Sequence, residues 1–592
     1  MSPAPTTTTS LAELREHQLL GPLDEHFARA LGRIANESNE DVLLATALLS
    51  RQVERGHVCL DLRRLAEQPL AGSEEGDGAV VVRWPQPERW LAALRDTPLI
   101  GGDATPLVLD EAGRLYLRRY YEYQQRLAAA ILARVRETPD GLDERLLQAG
   151  LERLFPAGPD TPSPDLQRMA AETAVRRRFC VISGGPGTGK TYTVVKILAL
   201  LLEQAHAAGA DLRIALVAPT GKAAARLGES VEKARAGLAC SEEVKARIPV
   251  RASTIHRCLG KVPGRMTRFR HDAENPLPAD VVLVDEASMV DLALMTRLTD
   301  ALRPGARLIL LGDKDQLASV EAGAVLGDIC EGVMKEVTGL HHSYRYRADS
   351  GIGALARAIN AGDGAGTLAA LAADSALRLV APGARGLVDA ALLRRVRQQF
   401  EEAREASDPA AALACLERLR ILCAHRRGPF GVEDVNRQIE AALLGKRRRR
   451  ADSAYAGQPI MVTENDYQTD LRNGDVGIVL PEGAALRAHF PGEGGVRTFA
   501  LSRLPPHETV FAMSVHKSQG SEFDAVAVLL PLLPSPLLSR ELLYTAVTRA
   551  RSEVTIYGST EIVTHATARR IERTSGLRDR LRGAGAPDPL QP

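Results

Sequence analysis

Eight residues, Gly184, Gly185, Pro186, Gly187, Thr188, Gly189, Lys190 and Thr191, constrain the fold of this chain more than any other segment. They fit the pattern G-x-x-x-x-G-K-[ST], follow a short apolar run at 179–183 and open a helical stretch at 192–202. The glycines let backbone N–H groups approach phosphate oxygens, and the start of the helix adds positive partial charge. In such a loop Lys190 reaches the β- and γ-phosphates of ATP and the Thr191 hydroxyl ligates Mg²⁺.

Further apolar runs at 213–218, 281–284 and 307–311 alternate with helical stretches, the pattern of a parallel sheet flanked by helices. After residue 341 the alternation resumes at 421–424, 525–530 and 554–557, which predicts a second α/β unit facing the first. Between them, short alternating segments broken by Asn-Gly and Pro-Gly turns predict an antiparallel β insertion. The 592 residues therefore divide into five parts. These are a mostly helical N-terminal domain at 1–155, a first motor domain at 165–340, a second at 341–455 and 510–575, the β insertion at 455–510 and a tail at 576–592. Residues 583–592 are rich in Gly and Pro and are expected to fray. Trp84, Trp90 and the tyrosines of 116–123 are expected to build the N-terminal core, although aromatics also favour partner interfaces.

A phosphate loop needs a carboxylate for the metal and a base for the attacking water, and 281–286, Val-Val-Leu-Val-Asp-Glu, offers both at a strand end. Asp285 is the expected Mg²⁺ residue and Glu286 the water-polarising one. A third strand, 308–311, runs into polar residues that place Gln316 where a γ-phosphate is sensed, because ligands gather at the carboxyl ends of parallel strands.

Lys and Arg total 75 against 74 Asp and Glu, so no whole-molecule field draws this chain onto a polyanion, and local patches must hold one. The run Lys446 to Arg450 is the densest basic block, readable as a solvated loop or as a DNA or partner contact. Seven scattered cysteines, the absence of a signal-like start and the absence of a long apolar run give the expectation of a cytoplasmic protein with no membrane association. Neither His256 with Cys258 nor His341 with His342 completes a metal-ligand set.

The order of these motifs resembles superfamily 1 DNA helicases, built on two RecA-like P-loop domains. Residues 218–227 resemble motif Ia, 253–257 the DNA-contacting motif after it, 285–289 motif II and 312–317 motif III. Residues 343–346 resemble motif IV, 515–523 motif V and 544–550 motif VI. More narrowly, 56–62, 317–330, 428–432 and 473–478 make the chain similar to the RecD subunit family of exonuclease V, the RecBCD complex, whose β insertion is SH3-like.

The resemblance implies an ATP-dependent 5′-3′ DNA helicase acting with RecB-like and RecC-like subunits on single-stranded DNA and double-stranded DNA ends. The implied context is double-strand break repair by homologous recombination and degradation of linear DNA, with cleavage left to a partner. It implies that Arg345 and Arg549 reach the γ-phosphate from the second core, and that Gln167 reads adenine. Leu166 stands where relatives often carry an aromatic, so stacking there is lost; Tyr192 is either near the nucleotide or in the helix core. The implied DNA contacts are Thr220, Lys222, Thr254, His256, His516 and Lys517, directed at phosphate rather than at sequence. One alternative is a stand-alone RecD-like helicase, whose longer N-terminal extension is not evident. A second is a non-hydrolysing DNA clamp, against which the full set Lys190, Asp285, Glu286, Gln316, Arg345 and Arg549 argues.

Overall fold

The described residues of this computed structural model are 7–583 except 9, 18, 67–80, 83, 157, 159–163, 263–267, 345–349, 384–387, 446–453, 467 and 493–494. Arg345 and the basic run at 446–450 lie outside them.

The N-terminal part holds the strands β1 (Thr7–Thr8), β2 (Cys59–Asp61), β3 (Val81–Val82), β4 (Leu107–Leu109) and β5 (Arg114–Leu117) among its helices. β1 pairs with β3, and β2, β5 and β4 form an antiparallel sheet in that order. Trp90 is fully buried, donates its indole N–H to the Asp41 carbonyl at 2.7 Å and stacks on Trp84 with centroids 6.2 Å apart. The helix Arg118–Arg136 then carries Leu127, Ala128 and Ile131 into the same apolar cluster as Val282 and Leu308 of the first motor sheet. N-terminal part and motor thus share one core.

The first core contains β6 (Phe179–Gly184), β7 (Ile214–Ala218), β8 (Ala252–Thr254), β9 (Val281–Val284), β10 (Arg307–Gly312) and β11 (Val337–Leu340). They lie parallel in the order β11-β6-β10-β9-β7-β8. Two registers matter for the site. Gly312 pairs with Ser183, so 313–317 emerge beside the glycine loop; Leu340 pairs with Gly184, so the chain leaves this core against the same loop. The helix Lys190–Ala207 is apolar around most of its circumference, with Val194, Val195, Ile197, Leu198 and Leu202 fully buried. It is packed between the sheet and outer helices rather than lying on the surface.

The second core contains β12 (Leu377–Val380) and β13 (Leu419–Cys423). Then come the inserted strands β14 (Pro459–Val462), β15 (Val476–Glu482), β16 (Ala485–Gly492), β17 (Gly495–Ala500) and β18 (His507–Thr509). It closes with β19 (Ala512–Ser514), β20 (Phe523–Leu529) and β21 (Ala550–Tyr557). β12-β21-β20-β13-β19 is a parallel sheet, and β17-β16-β15-β14-β18 an antiparallel one inserted between β13 and β19.

The expected tail at 576–592 is replaced, through Arg582, by a packed helix, Leu577–Arg582. Leu577 and Leu581 are one turn apart and insert into the N-terminal and first-core cluster. The approach is fixed by two hydrogen bonds, Val58 N–H to the Thr574 carbonyl at 2.9 Å and Gly576 N–H to the side-chain Oε1 of Gln124 at 2.9 Å. Residues 584–592 lie outside the described set.

Candidate functional site

The glycine loop is held in shape by its own left-handed residues, Gly187 and Gly189, at φ of 79° and 80°. Lys190 Nζ donates to the carbonyls of Gly184 at 2.6 Å and Gly185 at 3.1 Å, lying across the loop. Thr191 is the second residue of the helix that the loop opens. Thr188 Oγ1 donates to the Gly185 carbonyl at 2.8 Å. Asp165 caps the helix Leu166–Arg176, and the next turn brings Gln167 Nε2 to the Thr188 carbonyl at 3.1 Å. Leu166 packs into the first-core cluster.

Tyr344 was missed by sequence reasoning. Its N–H donates to the Gly187 carbonyl at 2.8 Å, Ser343 Oγ donates to Pro186 at 3.3 Å, and its ring lies 3.6 Å from where a Gly189 Cβ would stand, beside Gln167. With 59% of the residue exposed, an aromatic face is left at the mouth of the loop. The signal was its position directly before Arg345, in the segment leaving the first core. Tyr192 is half exposed, so it is not in the helix core; its ring covers the Lys196 ammonium at 4.4 Å, and burial lowers that amine to about 8.

At the end of β9, burial raises the Asp285 carboxyl to about 6, the Glu286 charge adds to this, and Lys190 opposes it. Asp285 Oδ1 accepts the Glu286 N–H at 2.9 Å. Glu286 sits at φ 51° and ψ 41°, a left-handed conformation that costs a side-chain-bearing residue energy. At the end of β10, Gln316 Nε2 donates to Asp313 Oδ2 at 3.0 Å, and Gln316 Oε1 is buried with no hydrogen-bond partner among the described residues. Burial also raises the Asp313 carboxyl, against the pull of Lys190.

Arg549 follows the helix Arg540–Val547 of the second core and is buried. Its guanidinium donates to the carbonyls of Thr545 at 3.1 Å and Ser521 at 3.4 Å, and among the described residues no carboxylate pairs with it. Its charge is therefore uncompensated and suited to an anion.

Thr220, Lys222, Thr254, His256, His516 and Lys517 all line one cleft of about 1040 Å³. Thr220 and Thr254 cap the helices Gly221–Ala236 and Ile255–Leu259 at the ends of β7 and β8. His516 and Lys517 lie in a turn after β19, and Lys517 Nζ donates to Glu508 at 3.1 Å. Burial lowers the Lys222 amine to about 8, with the Arg420 charge adding to it, and lowers both His256 and His516. Near neutrality the two imidazoles are uncharged donors and acceptors, so cationic charge in the cleft comes from lysine and arginine. Sequence reasoning missed the opposite wall, built by Asn465, Asp466, Asp470, Leu471, Arg472 and Asn473 of the inserted module. Asn473 belongs to a segment already noted for its resemblance, but nothing in it signalled a cleft.

The cores touch at several points. Arg226 donates to the Gly520 carbonyl at 3.1 Å and pairs with Glu522, and Leu317 N–H donates to Thr545 Oγ1 at 3.0 Å. Gln519 Nε2 donates to the Leu317 carbonyl at 2.9 Å, so a residue of the cleft holds the neighbour of Gln316. Among the described residues no cluster of three or more His, Cys, Asp or Glu side chains has the geometry of a metal centre. None of their helices is long and apolar enough to cross a membrane.

Three family models match this chain. One described as an AAA domain covers residues 167–322, one described as the RecBCD enzyme subunit RecD, N-terminal domain, covers 16–116, and a UvrD-like helicase C-terminal domain covers 509–557. The RecBCD enzyme subunit RecD of Mycobacterium tuberculosis is 45% identical over 95% of this chain and 95% of that protein. The subunit of the same name from Haemophilus influenzae is 33% identical over 96% and 98%. The ATP-dependent RecD2 DNA helicase of Deinococcus radiodurans is 33% identical over 81% of this chain and 61% of that protein.

Proposed function

The chain belongs to the RecD family of RecBCD enzyme subunits, an ATP-hydrolysing DNA helicase, and from that premise we propose how its residues divide the work. The observation that carries the reading is the cleft: six polar residues from separate loops of both cores line it together. We assign it to a single strand of DNA, gripped through phosphates by Lys222 and Lys517 and by hydrogen bonds from Thr220, Thr254, His256 and His516. Lys261 and Arg472 join them as cations of the same cleft.

The nucleotide site is assigned to residues 184–191 for the phosphates, with Gln167 and the exposed Tyr344 ring at the adenine end. A Thr191 hydroxyl and a carboxylate at Asp285 are hard oxygen donors that suit Mg²⁺, which would neutralise charge on the phosphates. Glu286 orients and deprotonates the water, Gln316 contacts the terminal phosphate, and Arg549, with Arg345, stabilises charge as phosphoryl transfer proceeds. Arg549 belongs to the second core and the loop to the first, so hydrolysis depends on closure of the cores. Closure reaches DNA through Leu317, whose carbonyl is bound by Gln519 of the cleft.

By family, the proposed polarity is 5′ to 3′, within a heterotrimer of RecB-like and RecC-like subunits acting at DNA ends in the cytoplasm. Strand cleavage is assigned to a partner. The test is ATP turnover by the purified full chain as single-stranded DNA is added. Stimulation by DNA that disappears in Lys190→Gln is expected, and turnover unchanged in that variant would overturn the site assignment.

A further inference from the structure

We infer that Tyr544 is a positioning residue for hydrolysis: its hydroxyl, delivered by the second core, fixes Asp313 and through it the amide of Gln316. The inference rests on the nucleotide-site reading above and adds a residue to it. Tyr544 OH donates to Asp313 Oδ2 at 2.9 Å, and Gln316 Nε2 donates to the same oxygen at 3.0 Å. Asp313 Oδ1 accepts the Asp315 N–H at 3.1 Å, so both carboxylate oxygens are engaged. The three side chains are all at most 5% exposed, which shields the bonds from competing water.

The donors come from different cores. Gln316 follows β10, whereas Tyr544 lies on the helix Arg540–Val547, whose next residue, Thr545, accepts the Leu317 N–H at 3.0 Å. Two consecutive residues of one helix therefore grip the segment 313–317. The Tyr544 hydroxyl also stands 2.7 Å from where a Cβ on Gly185 would be, so it rests against the glycine loop, and any larger residue at 185 would displace it. A carboxylate held by donors from both sides has one orientation; with the tyrosine gone it turns, and the amide bonded to it turns with it. Gln316 Oε1, buried without a donor among the described residues, is the atom whose aim this fixes. Separation of the cores breaks the Tyr544 bond first among these, which makes the setting of Gln316 conditional on docking.

Tyr544→Phe keeps the ring and its packing and removes the donor. In the full chain with saturating single-stranded DNA, kcat for ATP is expected to fall about tenfold, the scale of one hydrogen bond to a charged group. KM for ATP should be unchanged, a split of kcat from KM that general loss of structure would not give. Asp313→Ala should lower kcat comparably, and adding Tyr544→Phe to it should cost no more than about twofold further. Wild-type kcat in Tyr544→Phe, or losses that multiply in the double variant, would overturn the inference. If Lys190→Gln abolishes turnover while Tyr544→Phe does not lower it, the positioning role alone fails; if Lys190→Gln retains turnover, the nucleotide-site reading has failed first.

Discussion

Arg472 Nη1 donates to the carbonyl oxygen of Gly221 across 3.0 Å, fastening the inserted β module onto the helix that carries Lys222. The Arg472 side chain fills the space that a Cβ on Gly221 would need. Gly221→Ala is therefore expected to expel Arg472 and loosen one wall of the cleft. Affinity for a single-stranded oligonucleotide should drop about fivefold, the order of one hydrogen bond, with nucleotide affinity intact. Fluorescence anisotropy with labelled DNA measures the first and titration with a fluorescent ATP analogue the second.

Glu286 holds a left-handed backbone that glycine adopts at no steric cost. Strain kept at a residue with a proposed chemical role predicts a separation of stability from activity. Glu286→Gly should not lower the melting temperature, yet should reduce DNA-stimulated turnover by about a hundredfold or more, the range general-base removal gives. A fall in both together would mean that Glu286 supports the fold rather than the reaction.

The Asp285 carboxyl is raised to about 6, chiefly by burial and then by the Glu286 charge. Its charged form is the one proposed to face Mg²⁺, so kcat/KM for ATP should fall as pH drops below neutrality, earlier than an ordinary carboxylate would make it. The same ratio should level off above pH 7. A profile flat from pH 5 to 7 would contradict the role given to Asp285.

Asp328 lies against the C-terminal segment, and burial raises its carboxyl to about 7 while Oδ2 has no hydrogen-bond partner among the described residues. Its folded value lies above the ordinary carboxylate value near 4, so the folded state binds the extra proton between those limits and stability falls as pH rises from about 4 to 7. Asp328→Asn should consequently raise the melting temperature at pH 8 and change it little at pH 4. An equal change at both pH values would show that ionisation is not involved.

Strands backed by long apolar runs were legible in the sequence because burial on both faces leaves an uninterrupted hydrophobic signature, as in Val281–Val284 and Phe523–Leu529. β8 and β19 gave no such signal: each is three residues long and contains Ser or Thr, and each sits at an edge with one neighbour. The helix Leu577–Arg582 was equally silent, since two leucines among four charged residues specify a buried face only when a partner surface is supplied. The glycine loop and the strand-end carboxylates could be read because their chemistry is local. The contacts of Tyr344, Arg472 and Tyr544 could not, because each reaches a residue far along the chain. For Tyr544 and Asp313 the separation is 231 positions, and only the docking of the two cores brings them together.

The protein is proposed as a motor that draws single-stranded DNA through the cleft in one direction at the expense of ATP. Its most direct test is ATP-dependent strand displacement by the full chain on duplexes with a 5′ or a 3′ single-stranded tail, with Lys190→Gln alongside. Unwinding from the 5′ tail alone, lost in Lys190→Gln, is the predicted result. Unwinding from the 3′ tail, or displacement that survives Lys190→Gln, would contradict it.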